Sequence, residues 1–377
     1  MNFEHTEDRR MLEDTLRRYL TEQYDITTRN SVAYDAQGYS PDRWTEMAEL
    51  GIIGALFSEA EGGFGGAGFD IALVFEELGR ALCPDPFLGA LLGGKALVAG
   101  NDDHHAKLDA VIDGSLIVAL AAEEESSYYD LLYVETSAKP DGQNWVLNGA
   151  KSVVPHAETA GLLIVTARIS GDVGDTDGLG IFAVPADTNG LQVLGYNTID
   201  GGRAGEVLLN SVTLPASALI ARDGDAAALL VDIAGYAHLA LSAEALGVME
   251  VMKTSTMEYL QTRKQFGVTI GKFQVLQHRM VDLVLEIEQA RSSVINAATL
   301  PADMIQRRKF LAAAKMTVSE AGTKVAEESI QMHGGIGMTW EMPLSHYAKR
   351  LTMIGHQFGD EDFHLAQYIA LSKETAA

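Results

Sequence analysis

Along residues 6–113 apolar side chains recur at intervals of three and four, the spacing that gives a helix one buried stripe. Ser40-Pro41-Asp42 reads as a cap and first turn, since serine accepts from the free N–H groups of a helix start and proline has no N–H to leave unpaired. A second amphipathic run covers Asp70 to Leu82. Between about Ser115 and Ile220 the pattern changes to short β-rich runs such as Leu162-Leu163-Ile164-Val165-Thr166 and Ile181-Phe182-Ala183-Val184. Asn148-Gly149 predicts a hairpin turn there, and 170–180 reads as a polar loop rich in Gly and Asp. After Asp223 helical periodicity returns over about 225–263, 273–298 and 301–333, with a terminal helix over 360–373. The expected fold is α+β in three parts: an N-terminal helical domain over 1–114, a middle β-barrel-like domain over 115–223, and a C-terminal four-helix bundle over 224–377.

Composition narrows the functional classes. A chain of 377 residues with 47% apolar content can bury a large core, which excludes wholesale disorder. No apolar run reaches the roughly 20 residues needed to span a bilayer, and the charged start Met1-Asn2-Phe3-Glu4-His5 is unlike a secretory signal. A cytoplasmic protein without a membrane partner is expected. Cys83 is the one cysteine, so neither a disulfide framework nor a cysteine-ligated metal is expected. The net charge of −24 opposes binding to nucleic acid.

Candidate chemistry lies in two glycine-bearing turns. Gln331-Met332-His333-Gly334-Gly335-Ile336-Gly337-Met338-Thr339 follows a long helix, and glycines there permit positive φ and remove the Cβ that would keep a phosphate away. The other turn is Arg263-Lys264-Gln265-Phe266-Gly267-Val268-Thr269-Ile270-Gly271-Lys272-Phe273-Gln274, which opens on an arginine able to fork onto a phosphate. Together they resemble the two FAD-binding signatures of the acyl-CoA dehydrogenase family. The resemblance extends through Thr6-Glu7-Asp8-Arg9-Arg10-Met11-Leu12, Glu61-Gly62-Gly63-Phe64-Gly65-Gly66, Glu76-Glu77-Leu78-Gly79-Arg80-Ala81-Leu82 and Leu147-Asn148-Gly149-Ala150-Lys151-Ser152. Within the family, Tyr129-Asp130-Leu131, the stretch 149–156 and Phe358-Gly359-Asp360 look most like the small subunit of pimeloyl-CoA dehydrogenase and relatives acting on steroid side chains.

This resemblance implies the acyl-CoA dehydrogenase fold, FAD as cofactor, an acyl-CoA substrate, an electron-transfer flavoprotein as partner, and assembly with copies or homologues of the chain. Carried over residue by residue, it assigns cofactor binding to Arg263, Gln265, Phe266, Gln274, Gln331, Gly334 and Gly335. Two departures stand on the isoalloxazine side. The family's Thr-Glu-Pro loop is replaced by Ala122-Glu123-Glu124-Glu125-Ser126-Ser127-Tyr128-Tyr129-Asp130, and its Trp-x-Thr by Val153-Val154-Pro155. The flavin site is then looser, lost, or completed by backbone groups with Ser126, Ser127 or His156.

Dehydrogenation of an acyl-CoA needs a carboxylate to remove the α-proton. One position that supplies it in relatives holds Phe358 here, and the other holds Ala237. Two turns beyond Ala237 on the same helix face stands Glu244, the lone acid in an apolar stretch from Ile233 to Met249, and it is the expected catalytic base. Its bland alternative is a structural glutamate paired with an arginine or with His238. Asp360 and Glu361 are the fallbacks, unless they serve as first-turn acids of the last helix. Three functional readings follow. One is a dehydrogenase that oxidises the Cα–Cβ bond of a dicarboxylyl, ring-bearing or otherwise bulky CoA thioester. Another is a catalytically silent subunit that completes a partner's flavin pocket, and the third is a flavin monooxygenase or oxidase on the same fold.

Overall fold

The computed structural model describes residues 6–374, so the expectation for Met1–His5 falls outside the described residues. Helices α1 (Glu7–Gln23), α2 (Ile26–Ala33), α3 (Pro41–Glu49), α4 (Gly68–Ala81), α5 (Phe87–Val98) and α6 (Asp102–Ile112) come first. Strands β1 (Val118–Ala121), β2 (Ser137–Asp141), β3 (Asn144–Pro155), β4 (Leu162–Arg168), β5 (Leu179–Pro185), β6 (Leu191–Asn197), β7 (Arg203–Pro215) and β8 (Leu219–Arg222) follow. The chain closes with α7 (Asp223–Thr262), β9 (Lys264–Gln265), β10 (Val268–Thr269), α8 (Gln274–Ala298), α9 (Met304–His333), α10 (Pro343–His356) and α11 (Glu361–Glu374). Helices, then a sheet, then helices is the predicted order. Helix α10 was not foreseen, and Pro343 at its first turn is the start signal the sequence offered.

These elements gather into two compact units. The first comprises Met1–Arg29 (described from Thr6), Ala67–Cys83 and His238–Ala377. Helix α1 is tied to α4 by Arg9 on Asp70 and by Arg17, whose fork reaches both oxygens of Glu77 at 2.6 and 2.8 Å. Helix α4 crosses α7 at backbone contact. A Cβ on Gly79 would stand 2.2 Å from the carbonyl oxygen of Glu244, and one on Gly247 would stand 1.9 Å from that of Glu76. Glycine is the residue this crossing admits.

The second unit comprises Asn30–Gly66 and Pro84–Ala237. Ser40 caps α3 with Pro41 at its first turn, as predicted. Its eight-stranded sheet runs β6-β7-β3-β2-β4-β5-β8, with β1 parallel to β4, so β6 and β8 are open ends of the sheet. Leu147, Val165, Phe182, Val184, Val207, Leu209 and Val212 alternate inward to form its core. One expectation is corrected: Asn148-Gly149 makes no hairpin. Strand β3 passes straight through it with a bulge against β7, and the Asn148 side chain accepts from Ser211 N at 2.8 Å. The β2–β3 turn lies instead around Gly142, at φ +62°. Helix α7 is long and apolar enough to cross a membrane, but most of its apolar stretch is buried inside the protein, as in a core helix.

Candidate functional site

Within the first unit, α7 ends one turn past Tyr259, and the chain reverses through β9 and β10. Phe266 and Gly267 form the two-residue loop, both at positive φ (+53° and +81°). That turn suits glycine but strains phenylalanine, and it leaves the Phe266 ring 90% exposed. Arg263, Gln265 and Gln274 are exposed and make no side-chain hydrogen bond or ion pair among the described residues. Helix α9 ends at His333, where Gly334 turns at φ +68°, and a Cβ on Gly334 or Gly335 would meet nothing within 4 Å. Gln331 is likewise exposed.

Two residues that sequence reasoning passed over join these turns. The Tyr259 ring stacks on the His333 imidazole at 4.3 Å, and its hydroxyl donates to the His333 carbonyl at 3.3 Å. His333 Nδ1 donates to Ser329 O at 2.8 Å, which leaves Nε2 as a buried acceptor without a partner. Burial pulls the His333 pKa down, against the hydrogen bond to that carbonyl. The period was the available signal: Tyr259 lies one turn before Arg263, and His333 sits inside the glycine motif. A free guanidinium, three unengaged amide side chains and two open glycines fit an anionic dinucleotide, which requires donors and close backbone approach. FAD is therefore compatible with the residues present.

The positions searched for a base are filled differently. Glu244, the expected base, is 8% exposed and held through both oxygens by Arg350 of α10, Nε at 2.5 Å and Nη2 at 2.7 Å. This is the arginine-paired alternative. Arg350 also donates to Gln357 Oε1 at 3.2 Å. His238 bonds elsewhere: its Nε2 donates to Phe358 O at 3.2 Å, and His364 Nε2 donates to the same oxygen at 3.0 Å. Burial, then the neighbouring His364 and Lys315, hold His238 well below its usual range, and burial with Lys315 takes His364 to about 4. Buried Lys315 donates to the carbonyls of Ile354 and Gly359 at 2.8 Å each. The turn carrying Phe358 (φ +55°) is thus gripped by three nitrogen donors and offers no carboxylate at that position. Asp360 accepts from Phe363 N at 2.9 Å, capping α11, and Ala237 is fully buried.

In the second unit the altered loop is well organised. Fully buried Lys151 on β3 donates to Glu124 Oε1 at 2.6 Å, to Thr166 Oγ1 at 2.8 Å and to Ala122 O at 3.3 Å. Glu124 in turn accepts from the backbone N–H of Glu135 at 2.7 Å and of Thr136 at 3.1 Å. Burial pushes the Glu124 carboxyl up, but Lys151 and these donors outweigh it and hold it low; burial takes Lys151 down to about 8 against the pull of Glu124. Val153, where the tryptophan is missing, sits in a bulge at φ +53° with its N–H on Glu206.

Comparison with known proteins adds lineage to this geometry. The chain matches the N-terminal, middle and C-terminal domain models of acyl-CoA dehydrogenases over residues 6–107, 119–212 and 233–369. It is 32% identical to the acyl-CoA dehydrogenase IpdE2 of Mycobacterium tuberculosis, covering 91% of each chain. It is 28% identical to the probable acyl-CoA dehydrogenase YngJ of Bacillus subtilis over 89% of this chain and 90% of that one. Among solved structures it is similar to a Tcur3481-Tcur3483 steroid ACAD (29% identity, TM-score 0.87, 98% of this chain and 99% of that one). It is also similar to an FAD complex of PigA (25% identity, TM-score 0.90, 99% of each).

Proposed function

The chain belongs to the acyl-CoA dehydrogenase family, and from that premise we propose that it is a subunit of an FAD-dependent acyl-CoA dehydrogenase whose α-proton acceptor comes from a homologous partner subunit. One observation carries this reading: phenylalanine stands at 358, alanine at 237, and Arg350 occupies both oxygens of Glu244. A carboxylate engaged by a guanidinium on both oxygens has to break a charge-assisted bond before it accepts a proton.

In this proposal Arg263 holds the cofactor's pyrophosphate, while Gln265, Gln274 and Gln331 donate or accept at the nucleotide end. Gly334 and Gly335 admit the backbone to the phosphates, and Phe266 covers apolar ring surface. When bound, FAD supplies the acceptor for the hydride leaving the β-carbon of the thioester. Electrons then pass to an electron-transfer flavoprotein. The steroid-acting structural relative supports a ring-bearing or otherwise bulky acyl group, and its two-component name supports a paired assembly. Exposed Phe266, Ile336, Met338 and Trp340 around the clamp add apolar surface for a second subunit to cover.

A competing reading makes Glu244 itself the base, and its favouring observation is a carboxylate buried on an apolar helix. The variant Glu244→Gln, tested as folded, flavin-loaded assembly, separates the two. We expect the rate of flavin reduction by substrate to stay within a few-fold of wild type. Slowing by the roughly 10²–10⁴-fold attributed to a positioned base would return the role to Glu244.

A further inference from the structure

The loop after β1 presents one aromatic side chain, Tyr128, to solvent from a strained turn. Asp130 N donates to Ser127 O at 2.8 Å, closing a β-turn whose two central residues are Tyr128 and Tyr129. Both have positive φ, +45° and +71°, the type I′ pattern that glycine, asparagine and aspartate dominate because a Cβ crowds the backbone there. The chain places two bulky aromatic residues in it. The strain does not serve burial of Tyr128, whose ring is 87% exposed and makes no hydrogen bond among the described residues.

Nor is the turn loosely held. Ser127 Oγ donates to Glu124 O at 2.9 Å, Ser127 N donates to the same oxygen at 3.0 Å, and Leu132 N donates to Asp130 Oδ1 at 3.0 Å. Glu124 is fixed by buried Lys151 and by two backbone N–H groups. A charged anchor almost fully withdrawn from solvent thus stands four residues from a ring standing in solvent. The same device recurs at Phe266-Gly267, where a positive-φ aromatic is presented at 90% exposure beside the unengaged Arg263. Backbone strain held by a rigid surround is a functional sign when the strained group is the one presented.

We infer that Tyr128 is a stacking platform for a planar heteroaromatic ring of a bound ligand, either a ring of FAD or the adenine of the CoA thioester. This rests on the proposal that the chain takes both molecules. An aromatic side chain carried on a fixed backbone turn offers such a ring a large contact area and has only two χ angles to order.

The test uses the full chain in its native assembly, with Tyr128→Gly and Tyr128→Phe. Glycine at φ +45° relieves the strain, so Tyr128→Gly is expected to raise Tm by about 1–2 °C. The same variant is expected to weaken ligand binding about ten-fold or more, the loss found when an aromatic stacking partner is removed. Tyr128→Phe keeps the ring and should bind as wild type. Titrating FAD into apoprotein and coenzyme A into flavin-loaded protein gives two arms: weakening confined to FAD assigns the platform to the flavin nucleotide, and weakening confined to coenzyme A assigns it to the CoA adenine. Unchanged affinity for both ligands in Tyr128→Gly overturns the inference, as does a fall in Tm that accounts for the lost binding. Equal weakening in Tyr128→Phe overturns it too, since the hydroxyl would then be the contact. A wild-type protein that takes up neither ligand defeats the parent proposal, and that control tells the two failures apart.

Discussion

Replacing Lys151 with methionine is expected to destabilise the protein by about 3–5 kcal/mol, the cost of leaving a buried carboxylate without its partner. Lys151 is fully buried and Glu124 nearly so, and the bond between them is 2.6 Å. Methionine fills most of the lysine's volume, so the loss measures the orphaned charge more than a cavity. Pairing it with Glu124→Leu should recover much of the stability, because an apolar pair of similar size often replaces a buried ion pair at little cost. The two backbone donors of Glu135 and Thr136 would still lose their acceptor, so recovery should be incomplete. Urea midpoints of the single and double variants check this. A loss below about 1 kcal/mol for Lys151→Met would show that water or rearrangement satisfies Glu124.

Arg263→Ala should lower FAD affinity by about 1.5–3 kcal/mol, roughly 10- to 150-fold, if its guanidinium bonds a charged phosphate. Arg263 is exposed and makes no side-chain bond among the described residues, so its removal should leave urea stability within about 0.5 kcal/mol. Arg263→Lys should fall between, since an ammonium keeps the charge and loses the fork. Titration of apoprotein with FAD, followed by fluorescence, gives the three affinities. Equal affinity across the set would remove Arg263 from the clamp.

The periodic parts of the chain were legible because burial imposes period. The run from Asp70 became α4, the apolar runs at 162–166 and 181–184 became β4 and β5, and the last three long helices fell close to their expected spans. What failed was local. Asn148-Gly149 carries the strongest short hairpin signal, but pairing of β3 with β2 on one side and β7 on the other overrides it and turns it into a bulge. Helix α10 is as long as α4, so length did not hide it; it follows closely on the glycine-rich turn, where Pro343 alone marks its start. In the candidate site, residue types could be read and partners could not. Glu244 is alone in its own helix, and only the fold brings Arg350 to it from 106 positions away. His238 similarly meets the Phe358 carbonyl, 120 positions on. The Tyr128 turn was hidden for another reason, since no sequence rule places two tyrosines at positive φ.

The most direct test of the central claim is rapid anaerobic mixing of a ring-bearing CoA thioester with the chain alone and with the chain co-purified with a homologous subunit, following the oxidised flavin band. The account predicts that the paired assembly carries FAD and bleaches within the time of a turnover, while the single chain does not bleach. Full-rate bleaching by the single chain, or a flavin-loaded pair that no CoA thioester reduces, would contradict it.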